Sequence, residues 1–384
     1  MLKREAVYGI IKQISYFNRS TRITGQGDKM KKELKKRCLP PLIKREEMAE
    51  ILQREEYGYL PNVEFELKVS EPSSVYAEYQ LGNVEHSFVT MEIKTEYGSH
   101  SFRIDRLLHL DGKKRPLIIF NNFHPIYASR YFPIEEMTEN DVDVLSCVYE
   151  DITKDNGDFT DGLCPVILPN GQNSDTSAGK IMIWAWANMR LLDYGLTLEG
   201  TDSDNIAIAG HSRLGKTALV TAMLDTRFKF VYSNAAGCSG DALSKGNSGH
   251  DGSLTGRNKG ETISDIVRVF PHWFCKNYQK YAEKGYSNEF DQHYLIASIA
   301  PRYVLVGICS HDLWADPYSQ QLCLLAGSNA WHSLGLSAFD KETPLNAGEK
   351  ELNMHTGCFV LNSRHYLSRH GWQNFVDFIK ANRE

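Results

Sequence analysis

The 384-residue sequence has no CxxC pair, no run of 18 apolar residues and no excess of basic charge. Because its eight cysteines are scattered, we predict neither a disulfide framework nor a zinc site. Without a long apolar run, no membrane span is expected. The net charge of −5 argues against a general nucleic-acid-binding protein, because binding to phosphates needs a basic surface.

The remaining composition is that of a globular protein, with 42% hydrophobic and 24% charged residues. The apolar stretch near the N-terminus is too short and too interrupted for a signal-peptide core, so the chain as written is expected to be cytoplasmic. Residues 1–37 are predicted to form a basic N-terminal extension that is solvated or frayed. Residues 38–384 are predicted to form a single domain.

The hydrophobic pattern predicts the α/β class. Alternating residues predict half-exposed, antiparallel strands at 63–69, 75–79, 86–93 and 101–108. More continuous apolar runs predict core strands at 116–120, 142–148, 230–233, 303–308 and 358–361, with helices at 45–56, 178–193 and 372–381. Strands that alternate with helices in the second half indicate a mostly parallel central sheet covered on both faces.

The stretch at 205–219, Asn-Ile-Ala-Ile-Ala-Gly-His-Ser-Arg-Leu-Gly-Lys-Thr-Ala-Leu, predicts a buried strand, a tight corner at Ser212 and a helix. A serine at such a corner presents its hydroxyl beside the N–H groups of a helix N-terminus. The nucleophile-elbow pattern G-x-S-x-G is only partly met, because the second glycine falls one place late, at Gly215. The same residues match the P-loop pattern in full, with Lys216 and Thr217 in the phosphate and magnesium positions. This stretch alone favours neither interpretation.

The loops after the last two core strands offer the partners that a serine nucleophile needs. In hydrolases of this chain order an acid and then a histidine follow the serine. The first loop offers Asp312 and Asp316, of which Asp316 can equally cap a helix. The second loop offers His365 and His370, of which His370 can belong to the last helix. A P-loop would instead need a second acid to hold magnesium; the strand after the corner offers none, although Asp312 is a possible substitute.

The corner motif Gly-His-Ser-Arg-Leu-Gly-Lys resembles the G-[CH]-S-R-x-G-K signature of the glucuronoyl esterases, carbohydrate esterase family 15, especially its bacterial branch. The resemblance covers residues 38–384 and continues in order through Trp184-Ala-Trp-Ala, Gly260-Glu-Thr, Phe270-Pro-His-Trp-Phe-Cys and Asp312-Leu-Trp-Ala-Asp-Pro. It implies an α/β-hydrolase three-layer sandwich with antiparallel N-terminal strands. It also accounts for the P-loop match, because the family signature itself places Gly-Lys after the serine.

The resemblance implies a role for each matching residue. Ser212 would be the nucleophile and His365 the general base, and Arg213 would stabilise the oxyanion through its backbone N–H and guanidinium. A second oxyanion donor is expected near residues 121–123. Hydroxyls of a glucuronate ring would be bound by Lys216, Glu261 and Trp314. No metal and no organic cofactor is needed for this chemistry.

The sequence departs from the family in two places that bear on the site. Many members carry the triad acid as a Glu at the position of Ala235, and alanine cannot orient a histidine, so Asp312 is the expected replacement. Residues 239–260 are rich in glycine and resemble a flexible insertion beside the site. Family members are also mostly secreted, so for a sequence without a visible signal peptide we expect either an imported oligosaccharide as substrate or a misplaced gene start.

Together these features predict a serine carboxylester hydrolase that cleaves 4-O-methyl-glucuronoyl esters of the lignin–xylan type through an acyl-enzyme. The expected partner is a carbohydrate ester such as a glucuronoxylan fragment, with neither nucleic acid nor membrane involved. Two alternatives remain open at this point: an acetyl xylan esterase of the same fold, and a catalytically inactive carbohydrate-binding relative. A P-loop nucleotide-binding protein is the least favoured interpretation.

Overall fold

The computed structural model describes residues 29–74, 84–247 and 260–383, and its centre is one eleven-stranded sheet. The strands are β1 (Glu66–Val69), β2 (Ser73–Ser74), β3 (Val84–Thr95), β4 (Gly98–His109), β5 (Arg115–Asn122), β6 (Asp143–Val148), β7 (Thr201–His211), β8 (Phe230–Asn234), β9 (Tyr303–Cys309), β10 (Lys350–Glu351) and β11 (Thr356–Leu361). The predicted strand at 75–79 lies outside the described residues.

The sheet is parallel in the middle and antiparallel at both ends. Its order is β1-β3-β4-β6-β5-β7-β8-β9-β11-β10, and β2 pairs with β3. The pairs from β6 to β11 run parallel, whereas β1, β2, β3 and β4 pair antiparallel, as does β10 with β11. This arrangement confirms the prediction of a mostly parallel sheet with an antiparallel lead-in.

Two hydrophobic clusters cover the two faces of the sheet. Along β5, Leu117 and Ile119 belong to one cluster, while Ile118 and Phe120 belong to the other. Such alternation follows from the two-residue period of a strand, which sends successive side chains to opposite faces. Layers of helix on both faces of the sheet make a three-layer sandwich.

Helices of very different lengths build the outer layers. They are α1 (Lys29–Arg37), α2 (Arg45–Leu52), α3 (Ile134–Glu139), α4 (Tyr149–Ile152), α5 (Cys164–Ile167), α6 (Lys180–Gly195), α7 (Arg213–Leu224), α8 (Ile263–Val269), α9 (His293–Ala297), α10 (Pro317–Gly327), α11 (Asn329–His332) and α12 (Arg369–Asn382). A π-helical turn, Gln53–Tyr57, follows α2, so the predicted helix at 45–56 changes geometry near its end. None of the described helices is both long and apolar enough to cross a membrane. All eight cysteines are free thiols, and seven of them are buried.

The structure corrects the expectation of a frayed segment for residues 29–37. They form helix α1, in which Met30 is 0% exposed and the Arg37 guanidinium donates to Ser319 Oγ over 2.9 Å. A run of basic residues normally indicates a solvated segment. Here one arginine has buried partners more than 200 residues away in the chain, which the local sequence does not reveal. Residues 1–28 lie outside the described part of the chain.

The turn between β7 and α7 confirms the predicted strand, corner and helix. Ser212 occupies the corner with φ 58° and ψ −126°, a strained conformation for a residue with a side chain. Gly210 makes the corner possible, because a Cβ at that position would lie 1.9 Å from the Leu214 carbonyl oxygen. The strand and the helix can therefore approach closely only with glycine at this position.

We predict that Gly210→Ala lowers the free energy of unfolding by about 3 kcal/mol or prevents folding, because the added methyl group overlaps backbone atoms. Urea denaturation of the wild type and the variant measures the difference. The matched control is Gly157→Ala, since a Cβ at Gly157 would meet no atom within 4 Å. Equal unfolding midpoints for the two variants would refute the close approach at the corner.

Candidate active site

Three of the predicted site residues form one hydrogen-bonded chain. Ser212 Oγ donates to His365 Nε2 over 2.8 Å, and His365 Nδ1 donates to Asp312 Oδ2 over 2.5 Å. Ser212 follows β7, Asp312 follows β9 and His365 follows β11. Because these strands are parallel, their carboxyl ends lie at the same edge of the sheet, where open α/β sheets place their ligands.

The two alternative residues, Asp316 and His370, lie at the starts of helices and are not part of this hydrogen-bonded chain. Asp316 lies at the N-cap of α10 with φ 56°, and its Oδ1 accepts the backbone N–H of Ser319 over 2.9 Å. His370 is the second residue of α12 and is exposed. The geometry therefore selects Asp312 and His365 from the two pairs that the sequence left open.

A second histidine, His211, packs against His365 with 4.5 Å between the ring centroids. Burial, followed by the positive charge of His365, lowers the pKa of His211 well below its usual value. His211 Nδ1 lies 2.9 Å from Asn234 Nδ2 and 3.2 Å from the Asn234 carbonyl oxygen, so both of its hydrogen-bonding contacts are with Asn234. His211 is thus neutral, so a protonated His365 meets a ring without a like charge.

A pocket of about 220 Å³ opens beside Ser212, Asp312 and His365. The further lining residues that matter here are Lys216, Ala235, Glu261, Phe270, Trp273 and Trp314. The structure therefore brings all three predicted sugar-binding residues to the serine. Among the described residues, no group of three or more His, Cys, Asp or Glu side chains is placed to hold a metal ion.

Glu261 is a buried carboxyl group in this pocket. Trp314 Nε1 donates to Glu261 Oε1 over 3.0 Å. Burial raises the pKa of Glu261 to about 7, although the charge of Lys216 and the indole N–H oppose that shift. Its charge therefore changes near neutral pH.

Lys216 and Thr217 do not have the arrangement that a P-loop requires. Lys216 Nζ donates to the Ala236 and Cys238 carbonyl oxygens, and the residue is only 3% exposed. Thr217 Oγ1 donates to the Arg213 carbonyl oxygen over 3.1 Å within helix α7. Both side chains thus bind protein carbonyls, which weighs against a phosphate site here.

Arg213 is held by an acidic residue that the sequence analysis missed. Its guanidinium forms an ion pair with Asp155, which also accepts hydrogen bonds from His272 Nε2 (3.0 Å) and Trp273 Nε1 (2.6 Å). Burial by itself would raise the pKa of Asp155, but these donors and the Arg213 charge lower it to about 2. Asp155 lies in a polar stretch without periodicity, so no local pattern marks it in the sequence. The only sequence signal for this contact is the motif Phe270-Pro-His-Trp, which contains its partners His272 and Trp273.

The donors around Ser212 differ partly from expectation. Arg213 lines the pocket, and its Nε is buried without a hydrogen-bond partner among the described residues. Within the loop at 121–123, the Phe123 N–H already donates to Asn122 Oδ1 over 2.8 Å. No residue of that loop lines the pocket. The loop instead places the Phe123 ring beside Arg213, with 5.9 Å between the ring centroid and the guanidinium carbon.

Ala235 occupies the position where an acid was expected from the resemblance. It is 1% exposed with φ 49°, and its N–H donates to the Gly307 carbonyl oxygen over 2.9 Å. Its methyl group lines the pocket, where it cannot bind the histidine. Asp312 contacts His365 from the other loop, in agreement with the replacement predicted from the sequence.

Comparisons with known proteins find sequence similarity to carbohydrate esterases. Residues 170–335 match the family model of the fungal glucuronyl esterases. A carbohydrate esterase from an unidentified prokaryote is 35% identical over 201 residues, which are 52% of this chain and 44% of that protein. The 4-O-methyl-glucuronoyl methylesterase of Podospora anserina is 28% identical over 75% of this chain and 55% of its own length. The chain thus spans about half the length of these curated relatives.

Solved structures share the fold over most of the chain. A promiscuous family 15 carbohydrate esterase from a marine bacterial metagenome superposes with a TM-score of 0.76 at 24% identity, covering 88% of this chain and 90% of that one. A glucuronoyl esterase variant from Sporotrichum thermophile, in complex with methyl 4-O-methyl-β-D-glucopyranuronate, gives a TM-score of 0.63 at 22% identity over 88% and 82% of the two chains. Residues 170–335 thus match the glucuronyl esterase family model, and most of the chain shares the fold of solved family 15 carbohydrate esterases.

Proposed function

We propose that this protein is a serine carboxylester hydrolase that cleaves esters of 4-O-methyl-glucuronate. The observation that carries the proposal is the chain Ser212–His365–Asp312 at the mouth of a pocket that contains Lys216 and Glu261. The names of the curated relatives and the ligand bound to the Sporotrichum thermophile variant support the same substrate class. The natural ester is proposed to join glucuronoxylan to lignin.

The chemistry follows from the hydrogen bonds of the resting site. Ser212 Oγ attacks the ester carbonyl while His365 Nε2 accepts its proton, and Asp312 holds the Nδ1–H of the imidazolium. His365 then returns the proton to the departing alcohol, leaving an acyl-enzyme on Ser212. A water molecule, deprotonated by His365, attacks the acyl-enzyme and releases the free uronic acid.

The oxyanion is stabilised on the Arg213 side of the serine. The Arg213 backbone N–H belongs to the first turn of α7, where amides have no acceptor within the helix. Its Nε–H is a second donor without a protein partner among the described residues. One such donor contributes about 3 kcal/mol to lowering the barrier.

The pocket suits one sugar ring. Its volume of about 220 Å³ is below the range of roughly 300–1,000 Å³ that is typical of sites for drug-sized ligands. Glu261 accepts hydrogen bonds, Lys216 Nζ has one N–H left beside its two bonds to carbonyl oxygens, and the Trp314 indole offers an apolar surface beside them. These groups bind the ring hydroxyls, while the rest of the glycan lies outside the pocket.

We predict that the purified protein hydrolyses the methyl ester of glucuronic acid and that Ser212→Ala lowers kcat roughly 10⁴-fold or more. An acetylated xylo-oligosaccharide, assayed in parallel, is the comparison substrate. Release of acetate alone would keep the serine mechanism and refute the sugar assignment of Lys216, Glu261 and Trp314. Cleavage of neither substrate would refute the proposed function.

Asp312→Asn is predicted to lower kcat by about 10⁴-fold on the same ester, because an amide cannot hold the histidine in the required tautomer. Asp316→Asn is the matched control, since asparagine also caps helices and tolerates a positive φ. It is expected to lose less than tenfold. Larger loss from Asp316→Asn than from Asp312→Asn would reverse the assignment of the acid.

Glu261 should make stability fall as pH rises through the neutral range. Its pKa in the folded protein is about 7 against a usual 4.5, so the folded state binds this proton more tightly than the unfolded state does. The shift corresponds to about 3 kcal/mol, which is lost progressively between pH 4.5 and 7. Glu261→Gln should remove this loss.

Unfolding free energies of wild type and Glu261→Gln at pH 5 and pH 8 test this expectation. From pH 5 to pH 8, the free energy of unfolding of the wild type should fall by roughly 1–3 kcal/mol more than that of the variant. The exposed Glu283→Gln serves as the control for the substitution itself. Parallel stability curves for wild type and Glu261→Gln would contradict the raised pKa.

A further inference from the structure

Helix α1 is anchored to two segments beside the pocket through Arg37. The Arg37 guanidinium donates to the Lys245 carbonyl oxygen over 3.0 Å and to Ser319 Oγ over 2.9 Å. Only 8% of Arg37 is exposed, whereas the side chain of its neighbour Lys36 is 76% exposed. A buried arginine needs several partners, so these bonds fix the helix to the domain.

Asn247 joins Arg37 to the pocket. Its Oδ1 accepts a hydrogen bond from the Arg37 guanidinium over 3.5 Å and lies 2.8 Å from Ser319 Oγ, whose single proton is shared between Asn247 Oδ1 and Asp316 Oδ2 at 2.7 Å. Its Nδ2 donates to the Glu261 carbonyl oxygen over 3.1 Å. One side chain therefore connects helix α1 to the backbone of Glu261.

Two hydrogen bonds join Glu261 and Trp314. The Glu261 N–H donates to the Trp314 carbonyl oxygen over 3.0 Å, and Trp314 Nε1 donates to Glu261 Oε1 over 3.0 Å. The preceding residue, Gly260, is enclosed as well. A Cβ there would lie 2.5 Å from Asp316 Oδ2 and 3.0 Å from Asn247 Nδ2. The backbone that presents Glu261 is thus held on both sides.

We infer that Arg37 and Asn247 are positioning residues that hold the Glu261–Trp314 pair in place for the sugar ring. The inference rests on the proposed function, in which this pair contacts the substrate. Arg37 orients Asn247, and Asn247 fixes the Glu261 backbone from which the carboxylate projects. Helix α1 therefore contributes to substrate affinity through these contacts, although it does not touch the substrate.

Asn247→Asp tests the connection selectively. An aspartate keeps the acceptor for Arg37 and Ser319 and loses the donor to the Glu261 carbonyl oxygen. Loss of one such bond should raise KM for the methyl ester of glucuronic acid about fivefold, with kcat within about twofold of the wild type. Lys36→Ala, on the exposed side of the same helix, is the matched control and should leave KM unchanged.

A small ester without a sugar, 4-nitrophenyl acetate, distinguishes a defect in sugar binding from a general loss of esterase activity. Its hydrolysis should change less than twofold in Asn247→Asp, because the acetyl group does not need Glu261 or Trp314. Equal losses on both esters would overturn the inference. So would an unchanged KM for the uronate ester in both Asn247→Asp and Asn247→Ala when their unfolding midpoints match the wild type.

Fluorescence quenching tests the inference independently of the substrate. The signal of Trp314 is the difference between proteins with and without Trp314→Phe, and acrylamide quenching of this difference reports its exposure. Asn247→Asp should increase the quenching, whereas Lys36→Ala should not. If the wild type does not cleave uronate esters, the proposed function fails; unchanged quenching in Asn247→Asp overturns the positioning role itself.

Discussion

The close approach of Gly210 to the Leu214 carbonyl oxygen is the constraint on which the site depends. It allows β7 to turn directly into α7, with Ser212 at a positive φ between them. The serine hydroxyl is thereby presented at the carboxyl edge of the sheet, beside the first amides of a helix. The loops after β9 and β11 reach the same edge, because those strands run parallel to β7.

Two carboxyl groups near Ser212 show how local partners set charge. Asp155 receives hydrogen bonds from His272 and Trp273 and pairs with Arg213, so it remains a fixed negative charge with a pKa of about 2. At Glu261 burial is the dominant cause and raises the pKa to about 7, because only the Lys216 charge and the Trp314 N–H oppose it. One group serves to hold a guanidinium, while the other changes its charge near neutral pH.

Much of this arrangement could be predicted from the sequence, because it depends on local periodicity and on chain order. The strands β5 to β9, the corner at Ser212, and the order of Asp312 and His365 all follow from patterns within short windows. The choice between Asp312 and Asp316 needed the structure, because both residues share one loop. Asp155 and the buried Arg37 were missed, because their partners are distant in sequence and no local pattern records such contacts.

Labelling with a fluorophosphonate, followed by peptide mass spectrometry, tests most directly whether the corner presents an activated serine. The reagent forms a stable bond to a serine only when a neighbouring base and an oxyanion site assist the attack. The account predicts one phosphonyl group per chain, on Ser212, and protection by glucuronate. An unlabelled protein, or a label on another residue, would contradict it.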